Sequence, residues 1–211
     1  FQTPATMDVL SDASGNFNLG FGIVNTKTGE YYYRKWNGRE MELAKRKKIY
    51  ILEAAATFIM FKINAPYLSE TNTNLEKWNL NLIGDNMGLV KSFHSAGSKS
   101  SVVVNNIICE MVYDLSMHDI TLNCDKTRFD TSWCDTNEMK AADALSRGKL
   151  DEFKEYMKSN FPQLTLKCLD INDPRVHEAE AQWNTMLERD VSLEGFERNT
   201  STKNPNKIDL R

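Results

Sequence analysis

The sequence predicts an α/β fold: a mixed five-stranded sheet in the element order βββαβαβα, with flanking helices and an added C-terminal helical extension. Three observations point there. Three short strand-like segments, parted by turn-forming residues, follow one another before residue 37, the pattern of an antiparallel meander. The hydrophobic period then switches to that of a helix. Later strand candidates are separated by helical stretches, so they must rejoin the meander through crossovers, which makes the sheet mixed.

Met7 to Ala13 (MDVLSDA) alternates as a strand and runs into the turn Ser14-Gly15-Asn16. Leu19 to Asn25 (LGFGIVN) is the second strand, and Thr26-Lys27-Thr28-Gly29 the next turn. Glu30 to Trp36 (EYYYRKW) is a third, aromatic strand. Ile49, Leu52, Ala56, Ile59, Met60 and Ile63 recur at helical spacing, so Lys47 to Lys62 is an amphipathic helix that Pro66 ends. After the polar stretch Ser69 to Asn74, Leu80 to Gly84 is a short apolar strand. Met87 to His94 and Ser100 to Ser116 are helices, Ile120 to Cys124 is a fifth strand, and Glu138 to Ser146 is a helix closed near Gly148. The expected division is a domain over 1–148, a helical extension over 149–194 with helices at Leu150 to Ser159 and Pro174 to Arg189, and a polar, mobile tail over 195–211.

Composition excludes several classes. Hydrophobic residues make up 41% and charged residues 26%, which suits a packed domain and not wholesale disorder. No run of 18 uninterrupted apolar residues occurs, so no membrane partner is expected. The chain starts at Phe1 without a signal pattern and reads as a processed product or a piece of a longer protein. Four cysteines without a CxxC pair, and three histidines, give no zinc spacing, and an intracellular setting (nucleus or cytoplasm) is expected. A formal charge of −3 does not suit a protein that binds nucleic acid by bulk charge alone; a local patch or a helper domain would be needed.

Acids fall at the ends of elements. Asp12 lies in the first strand (LSDAS), Glu53 on the long helix (ILEAAA), Asp85 directly after the fourth strand (LIGDN), and Asp143 in the last core helix (AADALSRG). Each is flanked by apolar or small residues. One ionised carboxylate in such surroundings costs several kcal/mol, and four converging require a cation. Mg²⁺ takes oxygen ligands from a few carboxylates plus substrate phosphate, and a pair of such ions ~3.5–4 Å apart serves phosphodiester hydrolysis. Gly20-Phe21-Gly22 lacks the third glycine of a dinucleotide fingerprint and sits in the meander.

SDAS followed by GFGIV, an acid on the next long helix, GDN after the fourth strand and ADALSRG after the fifth resemble ribonuclease H, over about Met7 to Gly148. More narrowly, the DN pair, GSKS at Gly97 to Ser100 and ADALSRG are similar to the ribonuclease H domains of retrotransposon reverse transcriptases of the DIRS-like, tyrosine-recombinase type. The resemblance implies a ribonuclease H-like fold and cutting of the RNA strand of an RNA/DNA hybrid with two Mg²⁺ ions, Mn²⁺ being able to substitute. Asp12, Glu53, Asp85 and Asp143 would be the metal-binding catalytic carboxylates, with Asp12 bridging both ions, Glu53 facing the RNA 2′-hydroxyl and Asp143 on the nucleophile side. Ser14, Asn86, Lys99 and Arg147 would contact substrate. Expected partners are the hybrid and an adjacent reverse transcriptase domain, or a protein partner docked through the C-terminal helices.

One departure concerns the stretch SWCDTNEMKAAD. It lacks the mobile His that many ribonucleases H carry, and has Met139 where an Asn is expected, which bears on turnover and product release. Two rival readings share the fold: a domesticated, non-catalytic interaction or scaffold domain, and a DNA nuclease of the same superfamily. The segment Arg34 to Lys48 carries seven basic and two acidic residues and reads either as a backbone-contact patch for the hybrid or as a solvated turn with a charged helix start. Tyr31, Tyr32 and Tyr33 read mainly as core, and Phe153, Tyr156, Met157, Val176, Trp183, Met186 and Leu187 as packing on the core or on a partner.

Overall fold

A computed structural model describes residues 6–68, 79–99, 101–117 and 129–200. Its strands are β1 Thr6–Ala13, β2 Gly20–Asn25, β3 Glu30–Lys35, β4 Asn79–Gly84, β5 Phe129–Trp133 and β6 Lys167–Cys168. They form one sheet in the order β5-β4-β1-β2-β3-β6. β1, β2 and β3 pair antiparallel, while β4 runs parallel to β1, β5 parallel to β4, and β6 parallel to β3. The mixed α/β class read from the sequence is therefore the class observed.

The sheet has six strands rather than the five expected. β6 is two exposed residues long and has no periodicity to read; its pairing with β3 alone makes it a strand. The expected strand at Ile120 to Cys124 lies outside the described residues. The strand observed beside β4, Phe129–Trp133, buries Phe129 and the polar Thr131 on its inner face, so its sequence looks like a loop.

Helices are α1 Gly38–Lys45, α2 Ile49–Asn64, α3 Met87–His94, α4 Val102–Met117, α5 Lys140–Ser146, α6 Leu150–Asn160 and α7 Pro174–Thr200, with a 3-10 turn at Ala65–Leu68. α1 was not expected. Its start is marked by the Asn37 N–H donating to the Glu40 carboxylate at 2.9 Å, a signature legible as N-x-x-E. The helix expected from Lys47 begins only at Ile49, because Lys47 adopts a left-handed φ of 58° and breaks the chain between α1 and α2. α2 is buried almost all round, as a central core helix must be. It and the 3-10 turn form a 20-residue stretch long and apolar enough to cross a membrane, yet most of it is buried inside the protein.

Alternation along the strands divides the core. Met7, Val9 and Ala13 of β1 face α2, in a cluster that continues into α4 and α7, whereas Leu10 packs with Val24 and Tyr31 against α5 and α6. Tyr31 and Tyr32 point to opposite faces, and both are core residues. The extension folds onto the same core. Val176, Ala179, Trp183, Met186 and Leu187 of α7 are buried against α2 and α4. Arg175 binds Glu30 of β3 through both terminal nitrogens at 3.0 Å, and Lys167 binds it at 3.2 Å.

Gly22 explains how α5 reaches the sheet. It pairs with Asp12 across β1 and β2, and a β-carbon there would lie 2.2 Å from Leu145 Cβ and 2.8 Å from the Ser146 nitrogen. Only glycine allows this approach. Gly22→Ala therefore pushes α5 off the sheet, with an expected loss of ~1–3 kcal/mol, read as a lower thermal midpoint.

Candidate metal centre

β1 and β4 are parallel neighbours, so their carboxyl ends lie at the same edge of the sheet. Asp12 is the penultimate residue of β1, and Asp85 follows the last residue of β4. α2 begins beside the β1–β2 turn, where a β-carbon on Gly15 would stand 3.7 Å from Ile49 Cδ1, and Glu53 lies one turn into this helix. Ligand oxygens of Asp12, Glu53 and Asp85 all fall within 4.8 Å of one another. Asp12 and Glu53 are 8% and 7% exposed, and Asp85 is half-buried.

The fourth predicted acid is near but does not join them. Asp143, in the first turn of α5, accepts on its Oδ1 a hydrogen bond from Arg147 Nε at 2.7 Å. It still acts on Asp12 electrostatically. Ser146, one turn further along α5, donates its hydroxyl to Asp12 Oδ2 at 2.5 Å and lies 2.9 Å from the Asp143 carbonyl oxygen. The sequence reading passed over Ser146, although it stands inside ADALSRG. Thr136 was missed as well: its hydroxyl donates to Asp85 Oδ2 at 2.9 Å, while Trp133 Nε1 donates to the Asp85 carbonyl at 2.9 Å. No short motif marks Thr136, which lies outside the core elements.

The expected substrate contacts are scattered around this cluster. Asn86 caps α3, its Oδ1 accepting from the Leu89 N–H at 3.1 Å. The Ser14 hydroxyl accepts from the Asn16 N–H at 3.2 Å and so closes the β1–β2 turn. Lys99 is exposed between α3 and α4. Arg147 is occupied by Asp143 yet 53% exposed. His94 sits on the far side of α3 from its cap, with Nε2 2.7 Å from the Thr131 carbonyl oxygen.

Burial and repulsion set the protonation of the cluster. Burial pushes Asp12 up to about 6; the Ser146 hydrogen bond opposes this, and Asp85 and Asp143 add to it. Burial likewise holds Glu53 well above the ordinary carboxylate range, reinforced by Asp12 and Asp85 and opposed by the Ala13 backbone N–H. Arg147, whose charge acts on Asp12 in the opposite direction, is itself paired with Asp143. A partly buried donor set made only of oxygens fits a hard divalent cation.

Fold and site together define a mixed-sheet α/β protein with an oxygen-donor cluster at the carboxyl ends of two parallel central strands. No protein-family profile and no curated protein sequence matches this chain. The structure is similar to that of RNase H1 from the halophilic archaeon Halobacterium salinarum, with 13% identity and a TM-score of 0.46, covering 70% of this chain and 99% of that one. It is also similar to LC11-RNase H1, isolated from compost by a metagenomic approach, with 10% identity and a TM-score of 0.43, covering 69% of this chain and 97% of that one.

Proposed function

We propose that this protein is a metal-dependent endonuclease of the ribonuclease H kind, cutting the RNA strand of RNA/DNA hybrids by two-metal phosphodiester hydrolysis. The observation that carries this reading is the meeting of Asp12, Glu53 and Asp85 within 4.8 Å, brought together from three separate elements. Nothing in the local folding of those elements requires three mutually repelling acids in a half-dry pocket, so their convergence calls for a ligand of opposite charge.

In this reading Asp12, Glu53 and Asp85 would hold the divalent ions, and Asp143, bound to Arg147 outside that group, adds its negative charge from α5. Bound divalent ions supply an activated water and neutralise charge on the leaving oxygen. Ser146 fixes the orientation of the Asp12 carboxylate through one of its two oxygens. Arg147 and Lys99 offer exposed cations to backbone phosphates, and Ser14 and Asn86 polar groups at the rim. Recognition of RNA rests on the 2′-hydroxyls that an A-like duplex displays in its wide minor groove. The ADALSRG segment supports an origin in a retroelement reverse transcriptase, with a neighbouring polymerase domain as partner.

The test is a labelled RNA/DNA hybrid offered with Mg²⁺, beside all-DNA and all-RNA duplexes of the same sequence. Cleavage of the RNA strand of the hybrid alone, lost in Asp85→Asn, is the expected result. Cutting of the all-DNA duplex would move the assignment to a DNA nuclease. An inert parent protein that also takes up no divalent ion in calorimetry would leave a scaffold domain.

A further inference from the structure

We infer that the corner between α1 and α2, led by Arg46 and Lys47, is a nucleic-acid contact surface that holds the sugar–phosphate backbone beside the carboxylate cluster. This rests on the hybrid-cleaving reading and adds to it the surface that would hold the duplex.

The charge of the corner emerges only on folding. Of the nine charged residues between Arg34 and Lys48, Arg34 and Glu40 turn inward and neutralise each other, with Arg34 Nη1 2.7 Å from Glu40 Oε2 and Glu40 fully buried. The one remaining acid, Glu42, is held by Lys45 at 2.8 Å. Lys35 and Arg39 at the start of α1, and Arg46 and Lys47 after its end, are left exposed. A chain of net charge −3 thus carries a net excess of exposed positive charge along α1 and at the bend that closes it, Glu42 being shared by Lys45 and Arg46, and such an excess is the electrostatic requirement for a polyanion.

The backbone supplies a second, independent observation. Lys47 holds a φ of 58°, in the left-handed region that a side chain with a β-carbon adopts at a steric cost. Glycine would fill this bend without conflict. Local folding therefore does not ask for lysine here, and the strain falls on a residue whose side chain projects into solvent.

Position completes the argument. Ile49, two residues past Lys47, stands ~6 Å along the α2 axis from Glu53, so the corner leads directly into the helical turn that carries this carboxylate. Lys45 Nζ lies 5.6 Å from the centre of the Phe17 ring, which joins the corner to the β1–β2 turn, and that ring is 40% exposed. A strand crossing the cluster could thus meet cations and an aromatic face on the same side.

The test uses Lys47→Gly and the double variant Arg46→Gln/Lys47→Gly, with hybrid binding followed by fluorescence anisotropy in Ca²⁺ at several salt concentrations. Mg²⁺ uptake by calorimetry and thermal unfolding run alongside. The double variant should bind the hybrid about tenfold more weakly at low salt, and its slope of log K against log[salt] should fall by about one per lost phosphate contact. Mg²⁺ uptake should not change, and the midpoint of Lys47→Gly should equal or exceed that of the parent, so affinity and stability move in opposite directions. Parent-like affinity and slope in the double variant would overturn the inference and leave the hydrolytic reading standing. A joint fall in stability and Mg²⁺ uptake would also overturn it, by making the corner structural. A parent that binds no hybrid would remove both.

Discussion

Asp12→Asn should stabilise the cation-free protein at neutral pH while lowering hybrid cleavage by about 10³-fold or more. The two effects share one cause. In the folded state Asp12 sits between Glu53, Asp85 and Asp143 and is pushed up to about 6 from its ordinary 3.8, which corresponds to ~3 kcal/mol once the group is ionised in both states. A raised carboxyl gives the folded state the greater proton affinity, so stability is highest below about pH 4, declines as pH rises through 6, and stays low above that. Glu53 is shifted in the same direction and adds to the decline.

Asparagine keeps the acceptor for Ser146 and removes the charge, so the variant should show a smaller decline. Thermal unfolding in EDTA from pH 4 to 8 reads this directly: parent and variant should diverge as pH rises. Added Mg²⁺ should then raise the parent and leave the variant almost unmoved, because a ligand stabilises only the state that binds it. Equal pH profiles for the two proteins would show that the cluster carries no such strain.

Arg34→Ala should be the most destabilising single change away from the cluster, at ~3–5 kcal/mol. Arg34 reaches Glu180 of α7 through Nε and Nη2, both at 2.6 Å, and Glu40 of α1 through Nη1 and Nη2 at 2.7 and 2.9 Å. Trp183 Nε1 donates to Glu40 at 2.7 Å, and the Tyr32 hydroxyl donates to Glu180 at 2.9 Å. Both glutamates are almost wholly buried. Removing the guanidinium leaves two carboxylates facing each other without a counter-ion, a far greater penalty than the loss of an exposed pair. Urea unfolding should show the lower midpoint, and hydrogen exchange should show α7 released first. Arg34→Lys should recover only part of the stability, since an ammonium cannot satisfy two carboxylates in a planar fork.

The same network shows which of the two packing alternatives the extension takes. From sequence, residues after 148 lay outside the domain and their apolar positions were free to meet a core or a partner. Trp183 and Leu187 are in the core itself, and β6 covers the outer edge of β3. No periodicity could reveal this, because the residues that receive α7, Tyr32, Arg34 and Glu40, stand 143 to 148 positions earlier in the chain. Gly22 gives a parallel case: the sequence excluded a nucleotide loop but could not say what GFG was for, and the answer is the close approach of α5.

Local chemistry alone determined the antiparallel meander, the buried helix bearing Glu53, and the placing of Asp12 and Asp85 at the ends of strands, because alternation, helical period and turn residues act over a few neighbours. Tertiary structure decided which charges meet. It drew Asp12, Glu53 and Asp85 together, set Asp143 against Arg147, and turned Arg34 and Glu40 inward to leave the Arg46–Lys47 corner bare. The reason is that electrostatic partnership depends on distance through space and on exclusion of water, and both are properties of elements packed from distant parts of the chain.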